Sequence, residues 1–307
     1  MTLTEDQIDS FNKEGCLIIK GYLDAETVKG LNDEIQRLYT EVDLKTHPMT
    51  KFTTEADGEH IGDKYFLESS DKIHFLFEPG SFNENGKLER PVDKAVNKIG
   101  HGLHFLNEKF RAITINDGIA SICKQMGYKD PKALQSMVIV KQPRIGGEVP
   151  PHTDSQFLYT DPISCLGFWF ALEDCTLENG CIGYFPGSHK KYDVKRRLVR
   201  ESATGTGTKF VRLGDTYKDW TSTEEEKKEE EFFADRSHYN WAVIPAGSLV
   251  LIHGNVIHVS DANKSDKSRN AYVFHVVEGF AEYDELNWLQ IPWDHPKGSK
   301  NFTRLYS

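Results

Sequence analysis

The sequence predicts a mainly β protein with helices gathered at its front, and three observations carry that expectation. From about residue 134 a series of short apolar or alternating runs begins: SMVIVKQP, SCLGFWFALED, GCIGYFPGS, WAVIPAGSLVLIHG, VIHVSD and NAYVFHVVEG. Pro, Gly, Asn and Asp separate them, and short strands at this spacing point to a β sandwich or barrel. Ahead of residue 130, by contrast, apolar residues recur at three- and four-residue intervals, the period of a helix face. No internal repeat interrupts the pattern, so a single domain is expected over 1–307. It would comprise a mostly helical part at 1–130, a β core at about 134–280 and a C-terminal extension at 281–307.

The elements follow in order. Thr4 and Gln7 have capping-box spacing, Ile8 and Phe11 continue the helical face, and Gly15 closes it. CLIIKGYL then reads as a short buried strand. Asp24 is a good N-cap for a second helix with Val28, Leu31, Ile35 and Leu38 on its apolar face. Residues from about 40 to 100 read as irregular, and a third helical region is expected at roughly 105–127. The charge run EEEKKEEE at 224–231 reads as a solvated surface stretch inside an insertion.

Composition limits the function classes. The formal net charge is -10, which argues against nucleic acid as the main partner, because phosphate binding normally needs a basic face. One cluster, Lys190, Lys191, Lys195, Arg196, Arg197 and Arg200, could hold an anionic substrate such as a nucleotide-containing thioester, or could be a solvated loop. No run approaches the roughly 20 apolar residues of a membrane span, and the polar, acidic start is unlike a secretory signal. Five scattered cysteines without a close CxxC pair read as reduced intracellular thiols. A cytoplasmic location is therefore expected, with a small-molecule substrate and no membrane partner.

The chemistry concentrates in PPHTDSQFLYT. Residues two apart on a strand share a face, so His152 and Asp154 could both turn toward one ion. A 2-His-1-carboxylate face needs a second histidine and leaves positions open for substrate or oxygen. The candidates are His189, His238, His253, His258 and His275. His258 is preferred, because Ser260 follows two positions on and Arg269 eleven positions on, where a strand return could bring its guanidinium back. A buried arginine beside a hydroxyl suits the distal carboxylate of a small dicarboxylic acid. His253, before a Gly-Asn turn, would need another register.

MVIVKQPRIGGEVPPHTD, NGCIGYFPGSHK and PAGSLVLIHGNVIHVSDANKSDKSRNAY, taken with the opening LTEDQIDSFNKEGCLIIKGYL, resemble the phytanoyl-CoA dioxygenase family of iron- and 2-oxoglutarate-dependent oxygenases. The resemblance spans nearly the whole chain. It implies a double-stranded β-helix (jelly-roll, cupin-like) core with Fe(II) held by His152, Asp154 and His258. It also implies 2-oxoglutarate held by Arg269 and Ser260, with Lys98, Met137 and Trp169 as further co-substrate positions, and O2 as the oxidant. The expected reaction decarboxylates 2-oxoglutarate to succinate and CO2 and hydroxylates a small molecule, a non-CoA metabolite ahead of an acyl-CoA. No catalytic acid or base is expected beyond the metal ligands. An alternative is a metal- and 2-oxoglutarate-binding sensor of the same fold, and a further rival is a zinc-dependent hydrolase, which has no obvious need for Arg269. The segment at about 201–240 looks enlarged against the family pattern, whereas the carboxylate ligand is present as Asp154. Gly180 and the Pro186, Gly187, Ser188, His189 run are expected to be structural. Tyr65, Phe66, Phe75 and Phe77 could line a substrate pocket, with core packing the expected use of most of them.

Overall fold

The computed structural model describes residues 2–53, 62–202, 205–214, 218–292 and 302–306. Its helices are α1 (Glu5–Glu14), α2 (Ala25–Tyr39), α3 (Lys64–Leu67), α4 (Leu103–Leu106), α5 (Glu108–Thr114), α6 (Asp117–Gln125), α7 (Ser188–Lys191) and α8 (Glu224–Ala234). The strands are β1 (Cys16–Ile19), β2 (Ile73–Phe77), β3 (Val96–His101), β4 (Pro131–Lys141), β5 (Val149–His152), β6 (Leu166–Ala171) and β7 (Ile182–Tyr184). They continue with β8 (Arg196–Arg200), β9 (Thr208–Arg212), β10 (Asn240–Trp241), β11 (Leu249–His253), β12 (His258–Ser260), β13 (Arg269–Glu278) and β14 (Thr303–Arg304).

The two leading helices form where the sequence places them, and for the stated reasons. Thr4 and Gln7 close a full capping box on α1, and Gly15 ends it in the left-handed conformation at φ 79°. Asp24 caps α2 through the Thr27 amide, worth about 1 kcal/mol at such a position. The third helical region is broken into α4, α5 and α6, because Asn107 and Asn116 each cap a new helix start. The expectation of irregular chain from about 40 to 100 is only partly met. IHFLF and VNKIGH pair as β2 and β3 and extend the large sheet. Their sequence signal was weak because Gly100 and four polar residues (His74, Asn97, Lys98 and His101) interrupt the alternation.

Eight strands build the large sheet in the order β1-β11-β6-β13-β4-β3-β2, with β14 also on β4. A second sheet, β10-β7-β12-β5, lies over part of it, and β8-β9 forms a separate hairpin. All named strand pairs are antiparallel. Antiparallel strands usually alternate apolar and polar, yet β6 and most of β13 are buried on both faces. Phe168, Phe170, Tyr272 and Phe274 pack under the helices, while Trp169, Ala171, Ala271 and Val273 turn toward the smaller sheet. Burial on both faces explains why these strands read as continuous apolar runs. The result is the double-stranded β-helix expected above, with helices on one flank.

The charge run at 224–231 is more ordered than a solvated stretch. It forms α8, capped by Thr223, with Glu226 buried against Arg212 at 2.8 Å. Lys195 pairs with Glu229 from the hairpin, so the described part of the insertion is one interlocked unit. No helix among the described residues is long and apolar enough to cross a membrane.

Candidate metal and co-substrate site

A cavity of about 810 Å³ opens between the two sheets. His152 ends β5 and His258 opens β12, and the two are direct register partners. Asp154 reaches them differently from a plain strand. β5 stops at His152, and Asp154 starts a one-turn 3-10 helix; only the extended Thr153 between them (φ -120°, ψ 143°) preserves the same-face relation. The ligand atoms of His152, Asp154 and His258 all lie within 4.8 Å of one another. Gly167 makes room for the carboxylate, since a Cβ there would stand 3.1 Å from Asp154 Oδ2.

Hydrogen bonding orients each ligand. His152 Nδ1 donates to the Pro150 carbonyl at 2.9 Å, and His258 Nδ1 donates to that of Val256 at 3.1 Å. A carbonyl can only accept, so each neutral ring keeps its Nε2 lone pair free for an ion. Burial, with His258 alongside, pushes the His152 pKa down to about 3, so that ring stays neutral. Burial alone would raise the Asp154 carboxyl, but His275, His258 and His152 outweigh it and hold the group well below the usual carboxylate range. Two imidazoles that turn Nε2 toward one point and one carboxylate form a donor set that fits a divalent cation.

A second tier stands behind the carboxylate. His275 Nε2 lies 3.3 Å from Asp154 Oδ2, and Gln135 Nε2 lies 3.3 Å from His275 Nδ1. A proton on Nε2 serves Asp154, which leaves Nδ1 to accept from the Gln135 amide. Such outer partners fix the rotamer and charge of a metal ligand. His275 was among the sequence candidates as a ligand; its place is beside Asp154, outside the His152, Asp154 and His258 cluster. Gln135 was not singled out, although its position two residues before Met137 on one strand face could have marked it.

Arg269 begins β13 and is only 2% exposed. Its Nε and Nη1 have no hydrogen-bond partner, and its Cζ stands 5.3 Å from the Trp169 ring. An unpaired buried guanidinium is costly, and this one lines the same cavity as the three ligands. Ser260, Lys98, Met137 and Trp169 line it too. Ser260 already gives its proton to the Gly180 carbonyl at 2.8 Å, so toward the cavity it offers lone pairs. The Lys98 ammonium sits 3.6 Å over the Phe52 ring on the cavity wall, and burial pushes its pKa down to about 7. Unflagged by sequence reasoning, Lys141 donates to the carbonyls of Gly147 (2.6 Å), Ser260 (3.1 Å) and Asp261 (2.6 Å). It thereby ties the approach to β5 to the end of β12.

The remaining candidates fall elsewhere. His253 packs by His189 and Phe11, and His189 bonds the Asn12 carbonyl. His238 stacks on Phe232 at 4.0 Å. Gly180 and Gly187 hold left-handed turns at φ 80° and 73°, as structural residues. Phe75 and Phe77 are core, and Tyr65 stacks on His74, but Phe66 faces the cavity. Most of the basic cluster is spent internally. Arg197 binds Asp284 and Asn287, Arg200 binds the Trp288 and Leu67 carbonyls, and Lys195 binds Glu229.

Comparison with known proteins bears on this arrangement. The family model "Phytanoyl-CoA dioxygenase (PhyH)" matches residues 11–271. The phytanoyl-CoA dioxygenase domain-containing protein 1 homolog of Caenorhabditis elegans is 41% identical over 290 residues, covering 93% of this chain and 95% of that protein. The domain-containing protein 1 of Bos taurus is 39% identical over 294 residues, covering 94% and 95%. Among solved structures, the alpha ketoglutarate dependent epimerase SnoN from nogalamycin biosynthesis superposes with a TM-score of 0.61 at 16% identity, covering 99% and 98%. EctD from S. alaskensis, with 2-oxoglutarate and 5-hydroxyectoine, gives 0.61 at 15% identity, covering 97% and 85%. At such identities the structural likeness establishes the shared fold.

Proposed function

The chain belongs to the phytanoyl-CoA dioxygenase family and is a 2-oxoglutarate-dependent oxygenase, and we propose that it hydroxylates a small, non-CoA molecule. His152, Asp154 and His258 would hold Fe(II). Arg269 would hold the distal carboxylate of 2-oxoglutarate, with Lys98, Met137, Trp169 and Ser260 around that co-substrate. Iron(II), 2-oxoglutarate and O2, when bound, supply an oxidant: 2-oxoglutarate ends as succinate and CO2, and one oxygen atom enters a substrate C–H bond.

This chain's residues contribute binding, orientation and exclusion of water. His275 and Gln135 keep the Asp154 carboxylate ionised and fixed. Trp169, Met137 and Val273 give an apolar wall that strengthens a charged contact to Arg269. The observation that carries the reading is the pairing, in one cavity, of a cation-ready ligand set with an unpartnered guanidinium. A zinc hydrolase would have no use for the second. The preference for a non-CoA substrate rests on the basic cluster, whose Lys195, Arg197 and Arg200 already have protein partners.

The test is anaerobic reconstitution with Fe(II), addition of 2-oxoglutarate, then oxygen, with succinate followed by NMR. His258→Ala and Arg269→Ala serve as controls. Succinate that is formed by the wild type and lost in both variants supports the assignment. A protein that binds neither iron nor 2-oxoglutarate refutes it. Binding of both without product in the presence of candidate substrates favours the sensor.

A further inference from the structure

The cavity has two chemically different ends, and the strand register shows why. Along β4 the residues facing the cavity are Gln135, Met137, Ile139 and Lys141; along β13 they are His275, Val273 and Arg269. Arg269 pairs with Lys141 at one end, and His275 pairs with Gln135 at the other. Six residues of strand separate these ends, about 20 Å. The Arg269 end is cationic and suits the co-substrate. The Gln135 end differs: it offers acceptors set in an aromatic surround, with the Lys98 ammonium held over Phe52 at its side.

His101 supplies the first acceptor. It is 1% exposed, lines the cavity, and belongs to the strand hydrogen-bonded to β4 opposite Ser136. The Ser69 hydroxyl has one proton, which it gives to the Phe66 carbonyl at 2.6 Å. Its 2.6 Å contact with His101 Nδ1 must therefore run from Nδ1–H to the serine oxygen. That leaves Nε2 of a neutral ring as a lone pair. Gln135 supplies the second acceptor. Its amide nitrogen is committed to His275, and its buried Oε1 has no partner. Phe66 and Trp288 stack at 4.4 Å and 11° beside His101, both meeting that ring edge-on. Because His275 touches the ligand Asp154, a molecule seated here stands next to the metal site.

We infer that this end is the primary-substrate subsite, and that it selects an uncharged molecule with a flat apolar body and a hydroxyl or N–H donor, received by His101 Nε2 and Gln135 Oε1. The inference rests on the oxygenase reading above. A carboxylate would bring no proton to either acceptor. A molecule without a donor would cover His101 Nε2 and leave both acceptors unpaired. Site polar groups left unpaired in this way are what give an enzyme its strong discrimination.

The experiment uses the full chain loaded anaerobically with Fe(II) and 2-oxoglutarate, and three matched probes: 2-naphthol, 2-methoxynaphthalene and 2-naphthoate. Calorimetry reads Kd, and the visible iron–2-oxoglutarate absorption band is recorded in parallel. We expect 2-naphthol to bind at least tenfold more tightly than either of the others. His101→Phe should reduce that preference to below threefold without altering the band, and His101→Gln, which keeps an acceptor, should retain most of it. Equal affinities, a preference for 2-naphthoate, an unchanged preference in His101→Phe, or no binding by any probe while the band is normal overturns this inference alone. Failure of the band to form in the wild type overturns the oxygenase reading and this inference with it.

Discussion

Replacing Arg269 with methionine should move co-substrate affinity and apo stability in opposite directions. In the structure Nε and Nη1 are buried without partners, the residue is 2% exposed, and the guanidinium lies near enough to Lys141 to help push that amine's pKa down. The Trp169 face at 5.3 Å offers the only aromatic contact recorded for the guanidinium among the described residues. A buried donor left unsatisfied costs about 1–3 kcal/mol, and a cation over an aromatic ring returns roughly 0.5–2 kcal/mol. Methionine fills similar space against Trp169 with no charge to desolvate. The apo variant should therefore unfold at the wild-type temperature or a few degrees above it, at about 2–4 °C per kcal/mol for chains of this order of size. Binding should suffer strongly. Hydrogen bonds to a charged group contribute about 1.5–3 kcal/mol each, so losing a two-point carboxylate clamp removes roughly 3–6 kcal/mol. At 1.4 kcal/mol per decade that is about 140- to 20,000-fold in Kd. Thermal unfolding with and without 2-oxoglutarate, and calorimetric titration of the metal-loaded protein, read the two quantities separately. A variant that melts several degrees lower yet binds 2-oxoglutarate normally would mean that Arg269 is a structural residue, and the clamp would be refuted.

Other expectations follow from the same geometry. His275→Leu should weaken Fe(II) or Mn(II) binding by about 10- to 100-fold, the usual cost of losing an outer-shell partner, while far-UV circular dichroism stays unchanged; undiminished metal affinity would refute the relay. Lys98 has a folded pKa near 7 and an unfolded one near 10.4, so between those values the unfolded chain holds the extra proton. Apo stability relative to Lys98→Met should then rise with pH over that window, by at most about 1.4 kcal/mol per unit, and be lost as pH falls toward 7; denaturant midpoints at pH 7.5 and 9.5 would reveal a flat difference if this is wrong. Arg197→Met strands Asn287, which is 0% exposed, and half-frees Asp284, so it should cost about 2–4 kcal/mol. Lys190→Ala should stay within roughly 0.5 kcal/mol, and equal effects of the two would refute the reading of Arg197 as an internal strut.

The sequence was legible where a local rule decides the outcome. Capping chemistry placed α1 and α2, apolar runs placed the core strands, and the short His152-to-Asp154 spacing survived even though Asp154 sits on a 3-10 turn, because Thr153 stays extended. The interval from His258 to Arg269 was readable for a similar reason: β12 and β13 are successive strands, and the chain between them has one short return to make. Resemblance to a family then joined these fragments into one expectation. Lys195, Arg197 and Arg200 went the other way. Their charges look available in a linear reading, but their partners lie 34 to 133 residues away, in α8, at Leu67 and near Trp288.

What stayed hidden depends on sheet order rather than on spacing. Gln135 and His101 lie 34 residues apart, and 140 and 174 residues before His275. They meet because β3, β4 and β13 are consecutive in the large sheet. Register then selects which of their side chains face the cavity. A slip of one residue on β4 would turn Gln135, Met137 and Lys141 away and present Leu134, Ser136, Val138 and Val140 instead. Val138 and Val140 now pack under the helices, so such a slip would also expose the cavity's polar set to the main core. The hydrophobic pattern that fixes the fold therefore also fixes which polar groups line the site. Substitutions that disturb β4 packing, such as Val138→Asp, should abolish metal binding through misfolding, whereas Gln135→Leu should leave the fold intact and alter only the site.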